Sequence, residues 1–209
     1  GAEWAKTFHP GLPGLIADVY AQVLVLKLYS AIWLPFIDLL LPLLIEFSQT
    51  KTIVLRLSRQ IQPLLENSEY FDGALLYGNL DNEVVIFREH GLLFEANVIK
   101  GHKTGYFLDH RHNRKKVGEL AEGARVLDVF SYAGGFSVHA LQGGAKEVLS
   151  IDISSKALDM CCSNAQLNPH KGSHDTWAID AFKALDTLQK KSEKFDIVVI
   201  DPPSFAKRE

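Results

Sequence analysis

The stretch Val126–Phe136, VLDVFSYAGGF, joins a short apolar strand to a helix through a turn of small residues. Asp128 lies near the end of the predicted strand, and Gly134 and Gly135 complete the turn. Glycine adopts backbone angles that other residues avoid and lets the chain approach a ligand closely. The turn has neither the G-x-G-x-x-G spacing of dinucleotide enzymes nor the lysine of a phosphate-binding loop. It therefore predicts a site for a ligand without phosphates.

From about Gly118 onward, apolar strands alternate with helices along the chain. The predicted strands have the sequences ARVLDVF, EVLSIDIS, DTWAIDAF and FDIVVIDPP. Helices are predicted between them at residues 136–142, 155–167 and 184–191. Strands separated by helices of this length form parallel sheets with right-handed crossovers. Residues 118–209 are therefore expected to form a Rossmann-like α/β domain that is present only as far as its fourth strand.

The first hundred residues follow a different pattern, with strands separated by turns and one apolar helix. The stretch KTIVLRLSR alternates apolar and charged side chains, which predicts a half-buried strand. Residues 83–87 and 92–99 predict two strands joined as a hairpin. We expect residues 1–100 to form a smaller α+β domain and residues 101–117 to form a linker.

Residues 31–47, AIWLPFIDLLLPLLIEF, are apolar enough to resemble a membrane span. The stretch is shorter than the roughly 20 residues that a bilayer core requires. It also carries Asp38 and Glu46 and is interrupted by two prolines. A membrane helix is one interpretation, but these features favour a buried, kinked helix packed on a sheet. No membrane association is expected.

Composition and charge narrow the class of protein. The chain is 47% hydrophobic and 22% charged, which is typical of a soluble globular protein. Its net charge of -3 argues against a protein that coats nucleic acid by electrostatics alone. The two cysteines, Cys161 and Cys162, are adjacent, so no disulfide framework is expected and a cytoplasmic location is predicted. The eight histidines are scattered, and no metal site is predicted.

Two further carboxylates end the next two predicted strands. Asp152 lies 24 residues after Asp128, where a side chain can accept hydrogen bonds from both hydroxyls of a ribose. Its alternative role is a helix cap or turn residue, because two serines follow it. Asp180 ends the third strand, where it can accept from an adenine amino group. A ligand with an amino-acid end, a ribose and an adenine, such as S-adenosylmethionine (AdoMet), fits these positions.

The last strand ends in Asp201, followed directly by Pro202 and Pro203. Two prolines stiffen the backbone and remove two hydrogen-bond donors. Such a loop can hold a planar base beside a methyl donor. The order of strand-Asp-Gly-Gly, strand-Asp, strand-Asp and strand-Asp-Pro-Pro resembles that of class I AdoMet-dependent methyltransferases.

A segment before the first of these strands, HKTGYFLDHR at residues 102–111, narrows the resemblance. Together with VLDVFSYAGGFSVHA and FDIVVIDPPSFAK, it resembles the ribosomal RNA large-subunit cytosine-5 methyltransferase family. The resemblance covers residues 89–207 and extends more weakly to GLPGLIADVY. Against that family's pattern we interpret the sequence as truncated at both ends. Members of the family usually begin with a small RNA-binding domain and have a cysteine beyond the fourth strand, and neither is expected in this sequence.

The resemblance implies which residues bind the AdoMet cofactor. Residues 103–111 would fold over it, with the guanidinium of Arg111 paired to the cofactor carboxylate. The alternative for this segment is a surface loop with an Asp-Arg pair. The implied cofactor-binding residues are Phe107, Asp109, Arg111, Asp128, Ser131, Tyr132, Gly134, Gly135, Asp152, Ile153, Asp180, Ala181 and Asp201.

The resemblance also implies an RNA substrate, and most specifically carbon 5 of a cytosine in 23S ribosomal RNA. Asp201 would position the base, in a pocket formed by Pro202, Pro203 and Ser204. A target base must leave its stack to enter such a pocket, which suits single-stranded or loop RNA. Basic residues expected to contact phosphates are Lys103, Arg114, Lys115 and Lys116, with a solvated linker as the alternative.

Members of that family add a cysteine thiolate to the neighbouring carbon of the ring. Cys161 and Cys162 lie in the middle of a predicted helix and are expected to pack rather than react. The chain is therefore expected to bind AdoMet yet to methylate poorly or not at all. Two alternatives stay open: a ribosomal guanine methyltransferase on the same fold, and a fragment that binds cofactor or RNA without turnover. The oligomeric state also stays open, with a homodimer among the options.

Overall fold

The structure, a computed structural model, describes residues 6–8, 13–65 and 68–203. The chain divides into two compact units, residues 1–109 and residues 110–209. The division falls inside the segment predicted as a linker, so that this segment contributes residues to both units.

Seven strands form two sheets in the described part of the first unit. They are β1 (Lys6–Phe8), β2 (Leu15–Tyr20), β3 (Val23–Leu28), β4 (Thr52–Leu57), β5 (Leu75–Tyr77), β6 (Val84–Glu89) and β7 (Leu92–Asn97). Strands β1 to β5 form one sheet in chain order, in which only β3 and β4 are parallel. Strands β6 and β7 form the predicted hairpin. This unit is therefore α+β, as its sequence predicts.

An apolar helical segment connects the parallel strands β3 and β4. It begins with a 3-10 turn, Ala31–Phe36, and continues as helix α1, Ile37–Ser48. By length and composition alone, these 18 residues would be enough to cross a membrane. The face that carries Leu40 and Leu44 packs against the core of the five-stranded sheet.

The prediction that this helix is buried is wrong. Leu39, Leu43 and Phe47 are 66%, 58% and 74% exposed, and Ile37 is the buried residue of α1. The sheet needs only one face of the crossover helix to cover it. The two acidic residues of α1, Asp38 and Glu46, lie on its exposed face, which also carries these three apolar side chains.

Strand β4 also differs from its prediction, because all six of its residues are buried rather than alternate ones. The charged residue, Arg56, is accommodated by polar partners within the first unit. Its Nε donates to Asp72 Oδ1 at 2.9 Å, and its guanidinium also donates to the carbonyl oxygen of Gly101 at 3.0 Å. A buried charge with such partners is indistinguishable in sequence from a solvent-facing one.

The second unit contains a parallel sheet with helices between its strands. The strands are β8 (Arg125–Val129), β9 (Glu147–Asp152), β10 (Ser173–Ala178) and β11 (Ile197–Ile200). The helices are α2 (Arg111–Leu120), α3 (Gly135–Gln142), α4 (Ser155–Gln166) and α5 (Ala181–Lys190). The strand order is β10-β9-β8-β11 and every pair is parallel, which confirms the Rossmann-like fold. The order reverses at β8, where such sheets open a ligand crevice beyond the strand ends.

Helix α2 was not predicted, because its residues were assigned to the linker. Its sequence, RHNRKKVGEL, has too few apolar residues to show a helical stripe. The helix packs through Gly118, where an added Cβ would meet the carbonyl oxygen of His139 in α3. Because glycine has no side chain, a helix contact made at Gly118 adds no apolar residue to the sequence pattern.

The one-sided packing of α1 predicts different costs for two neighbouring leucines. Leu44→Ala removes a side chain packed on the sheet and should lower the free energy of unfolding by about 2 kcal/mol. Leu43→Ala changes an exposed side chain and should lower it by less than about 0.5 kcal/mol. Urea unfolding followed by circular dichroism measures both, and equal losses would contradict the assigned face.

Candidate functional site

Asp128, in β8, is a buried carboxylate with one oxygen fixed and the other unpartnered. Its Oδ2 accepts hydrogen bonds from the backbone N–H of Ser137 at 3.1 Å and from the Ser137 hydroxyl at 2.6 Å. Its Oδ1 is also buried and has no hydrogen-bond partner among the described residues. An unmet buried acceptor is costly, so this oxygen suits a ligand group that donates N–H or O–H.

Burial raises the pKa of Asp128 to about 6, and the negative charges of Asp201 and Asp152 add to the effect. The hydrogen bonds from Ser137 act in the opposite direction but do not compensate fully. Desolvation disfavours the charged form of a carboxyl group. A cation brought to Asp128 would therefore relieve an unfavourable charge.

The turn after β8 is held in a sparsely populated backbone conformation. Phe130, Tyr132 and Gly134 have φ values of 64°, 48° and 75°. Such angles cost non-glycine residues about 1–2 kcal/mol each and cluster at functional sites. Ser131, within the same turn, has a buried hydroxyl without a hydrogen-bond partner among the residues described. The turn therefore offers a second unmet polar atom close in sequence to Asp128.

Gly134 is required to be glycine by a packing contact that was not predicted from the sequence. The predicted left-handed conformation is present, and the backbone also approaches helix α4 closely. An added Cβ would overlap the sulfur of Cys161 and lie 3.2 Å from its Cα. Gly135, the next residue, begins helix α3.

Asp152 ends β9 and ties it to the turn after β8. Its Oδ2 accepts from the backbone N–H of Tyr132 at 3.0 Å, and its Oδ1 accepts from the N–H of Ser154 at 2.9 Å. The cap of α4 is Ser154, whose hydroxyl accepts from Ala157 N–H, so Asp152 is a turn residue and not the cap. Each carboxylate oxygen of Asp152 can accept more than one hydrogen bond. Ile153, after it, is 76% exposed.

Asp180 is the N-cap of helix α5. Its Oδ1 accepts from the backbone N–H groups of Phe182 and Lys183 at 3.0 and 3.2 Å. Ala181 is buried, whereas Phe182 is 77% exposed. A ligand role was predicted for Asp180 from the sequence. The structure shows that its side chain caps helix α5.

Asp201 and the two prolines follow β11 and are exposed. The Asp201 backbone N–H donates to the carbonyl oxygen of Val129 at 3.4 Å, which places it beside the end of β8. Ser204, the remaining member of the predicted base pocket, lies outside the described residues. Asp128, Asp152 and Asp201 are therefore brought to the same end of the sheet, since parallel strands share their carboxyl edge.

The predicted cofactor-covering segment belongs partly to the first unit. There Lys103 Nζ lies 3.2 Å from Asp109 Oδ2 and 4.2 Å from the centre of the Phe107 ring. Lys103 has a φ of 52°, so the segment turns sharply at this residue. Arg111, in contrast, is the first residue of α2 in the second unit.

Three of the basic residues predicted to contact RNA lie on α2, and they differ in exposure. Arg114 is only 4% exposed, so its predicted contact with RNA phosphates is not supported. Lys115 and Lys116 are 55% and 66% exposed and lie within 3.9 and 3.4 Å of Glu119. Of the three residues on this helix that were predicted to contact phosphates, Lys115 and Lys116 are thus the exposed ones.

A chain of hydrogen-bonded polar side chains, which was not predicted from the sequence, leads to Ser137, the partner of Asp128. Ser150 Oγ lies 2.6 Å from Ser137 Oγ and 2.8 Å from His174 Nε2. A polar residue inside an otherwise apolar buried strand, as Ser150 is in VLSID, was the available signal.

Cys161, also in this region, is buried, and burial raises its pKa to about 12. A thiol in this state is not a nucleophile, as the sequence led us to expect. Among the described residues there is no group of three or more His, Cys, Asp or Glu side chains that could hold a metal ion.

Comparison with known families decides the classification. The family described as S-adenosylmethionine-dependent methyltransferases matches residues 9–209. The chain belongs to this family.

Curated relatives of the chain have more specific names than the family. The "Ribosomal RNA large subunit methyltransferase" of Deinococcus radiodurans is 46% identical over 200 residues, which are 95% of this chain and 49% of that protein. The "Ribosomal RNA large subunit methyltransferase I" of Aeromonas salmonicida is 38% identical and is matched over 94% of this chain and 49% of its own length. The chain thus spans about half the length of the curated relatives it matches.

Solved structures share the fold. A protein assigned as a methyltransferase and crystallised with SAH has a TM-score of 0.83 at 24% identity, covering 99% of this chain and 53% of that one. The SAM-dependent methyltransferase of Agrobacterium tumefaciens has a TM-score of 0.69 at 18% identity, covering 97% and 61%. At these identities the likeness concerns the fold alone.

The contact between Gly134 and Cys161 predicts an unequal cost for two glycine substitutions. Both Gly134 and Gly123 have positive φ, but a Cβ at Gly123 meets nothing within 4 Å. Gly123→Ala should cost about 1 kcal/mol of unfolding free energy. Gly134→Ala should cost about 3 kcal/mol, because the overlap adds to the backbone strain. Chemical denaturation of both variants tests this, and losses of the same size would refute the close approach.

The raised pKa of Asp128 predicts that this carboxylate destabilises the ligand-free protein at neutral pH. The folded state holds its proton up to about pH 6, whereas an unfolded aspartate loses it near pH 3.8. Burying the neutral carboxyl group therefore contributes fully to the free energy of unfolding below pH 3.8. This contribution is lost as the pH rises through 6, and the loss is at most about 3 kcal/mol.

Asp128→Asn should therefore be more stable than the wild type at pH 7.5, by about 1 kcal/mol or more. The gain stays below the full linkage value because the new NH2 group must itself be buried. Thermal or urea unfolding at pH 4 and at pH 7.5 measures the difference. The advantage should fade as the pH falls towards 4, and an advantage independent of pH would refute the assignment.

Proposed function

We propose that the second unit binds AdoMet at the carboxyl ends of β8 and β9, for methyl transfer to RNA by the whole protein. The observation that carries the proposal is Asp128 Oδ1, a buried acceptor with no partner among the described residues. Membership of the family supports the cofactor, and the names of the curated relatives support a ribosomal RNA substrate.

The residues at the strand ends fit the parts of AdoMet in order. An ammonium group at the amino-acid end would donate to Asp128 Oδ1 and compensate its charge. Asp152 would accept from the ribose hydroxyls with the acceptor capacity that Tyr132 and Ser154 leave. Asp180 would face the adenine, beside the exposed ring of Phe182. Ser131, Tyr132, Gly134, Gly135, Ile153 and Ala181 would shape the walls of this site.

Phe107, Asp109 and Arg111 are proposed to contact the methionine end. This part of the proposal rests on the family resemblance. Arg111 would supply a guanidinium for the cofactor carboxylate, which planar bidentate geometry favours.

The proposed target is carbon 5 of a cytosine in 23S ribosomal RNA. Bound AdoMet supplies an electrophilic methyl group, and the protein must hold the base beside it. Asp201 would hydrogen-bond the edge of the base, while Pro202 and Pro203 would keep the loop stiff. Their exposure suits a base that enters from solvent after leaving its stack.

A second candidate function is cofactor binding without turnover by this chain alone. The observation that favours it is the burial and raised pKa of Cys161, one of only two cysteines in the sequence. Attack on a cytosine ring needs a thiolate. Mass spectrometry of RNA incubated with the chain and AdoMet separates the two candidates.

Calorimetry tests the cofactor site. We expect micromolar binding of AdoMet by the wild type and at least tenfold weaker binding by Asp152→Ala, which is about 1.4 kcal/mol. Asp159→Ala, an exposed carboxylate of helix α4, is the control and should bind as the wild type does. Failure of the folded wild type to bind, or equal binding by Asp152→Ala, would contradict the proposal.

The lysines of α2 test the RNA contact. Replacement of Lys115 and Lys116 by alanine should weaken RNA binding and reduce the slope of log affinity against log salt by about two. Replacement of Lys190 and Lys191, two exposed lysines at the C-terminal end of α5, should leave the slope unchanged. Fluorescence anisotropy with a labelled 23S RNA hairpin measures both, and an unchanged slope in the first variant would remove α2 from the RNA surface.

A further inference from the structure

A continuous chain of side-chain hydrogen bonds runs from the edge strand of the second unit to Asp128. It starts at His174 in β10, whose Nε2 lies 2.8 Å from Ser150 Oγ. Ser150 Oγ lies 2.6 Å from Ser137 Oγ, which lies 2.6 Å from Asp128 Oδ2. Ser137 and Ser150 are fully buried, so water cannot replace either of them in the chain.

Proton counting gives the chain a direction. A hydroxyl has one proton to donate, and an ionised carboxylate can only accept. The Ser137 hydroxyl therefore donates to Asp128, and its oxygen must accept from the Ser150 hydroxyl. Ser150 then has only acceptor capacity left, so His174 Nε2 must carry the proton that it shares with Ser150. Cys161 Sγ, 3.6 Å from Ser150 Oγ, can donate weakly to the same oxygen.

We propose that Ser150 and His174 are positioning residues that act on Asp128 through Ser137. Asp128 sets the direction of the hydrogen bonds, and His174 supplies the donor that Ser150 then requires, so that Oδ2 keeps the Ser137 hydroxyl and Oδ1 is left as the atom that meets the cofactor. The inference about the cofactor rests on the proposed function, but the inference about the carboxylate does not.

Neighbouring charged groups shift the pKa values of Asp128 and His174, the two ends of this series of hydrogen bonds. Asp152 and Asp201 raise the pKa of Asp128 in addition to its burial, and Ser137 lowers it. At the other end, burial and then His170 lower the pKa of His174, while Asp175 raises it. A neutral His174 with its proton on Nε2 therefore donates to Ser150 at neutral pH.

Two substitutions of His174 separate positioning from packing. His174→Phe keeps an aromatic ring but has no donor, whereas His174→Gln keeps an N–H donor but has no ring. Ser150→Ala interrupts the chain directly. Cys161→Ala is the matched control, since it removes a buried side chain that contacts Ser150 and His174 without interrupting the path to Asp128.

The first measurement is the pKa of Asp128 in the ligand-free full chain, by NMR of ¹³C-labelled aspartate. We expect His174→Phe and Ser150→Ala to raise it above the wild-type value of about 6, because the ionised form loses support. His174→Gln and Cys161→Ala should leave it unchanged. An unchanged pKa in His174→Phe, or an equal rise in His174→Gln, would overturn the proposal.

The second measurement is AdoMet affinity by calorimetry at pH 7.5. His174→Phe and Ser150→Ala should bind about fivefold more weakly, the scale of one buried hydrogen bond. The glutamine variant and the cysteine control should bind as the wild type does. If the wild type binds no AdoMet, the proposed function fails. The pKa measurement still decides whether Ser150 and His174 position Asp128.

Discussion

The second unit depends on how it accommodates one buried carboxylate. Asp128 lies in the central strands of a parallel sheet, where a charge is disfavoured by several kcal/mol unless it is compensated. Ser137 compensates only one of its oxygens. The other has no partner among the described residues, and the pKa stays high. A protein selected for stability alone would place an apolar residue here, so the carboxylate at this position costs stability, which is consistent with the proposed ligand site.

The turn after β8 and its neighbours hold this carboxylate near the carboxyl end of the strand. The turn after β8 must leave the sheet and start α3 within a few residues, and it does so through three residues with positive φ. Asp152 stabilises this turn by accepting the N–H of Tyr132, so the carboxylate at the end of β9 also determines the shape of the loop after β8. Gly134 lets the loop pass close to α4. The strained turn is thus supported by neighbours on both sides.

The sequence predicted the parts of the molecule that are encoded locally. Alternating strands and helices predicted the parallel sheet, and the β6–β7 hairpin followed from two apolar stretches and a short turn. The carboxylates at Asp128, Asp152 and Asp201 were found because the carboxyl ends of parallel strands share one edge.

Features that depend on distant partners were missed or wrong. Arg56 appeared to face solvent because its partners Asp72 and Gly101 are remote in sequence. Helix α2 lacks an apolar stripe, since it packs through Gly118. The exposed face of α1 carries three large apolar side chains beside Asp38 and Glu46, so the apolar character of the segment predicted more burial than the structure has. The link from Ser137 to His174 joins three separate elements, which only the folded structure brings together.

The most direct test of the proposed cofactor site is a crystal structure of the protein with S-adenosylhomocysteine. We predict that the ribose hydroxyls lie within hydrogen-bond distance of Asp152 and that the amino group of the ligand lies at Asp128 Oδ1. A ligand bound elsewhere, with Asp128 Oδ1 still lacking a partner, would contradict it.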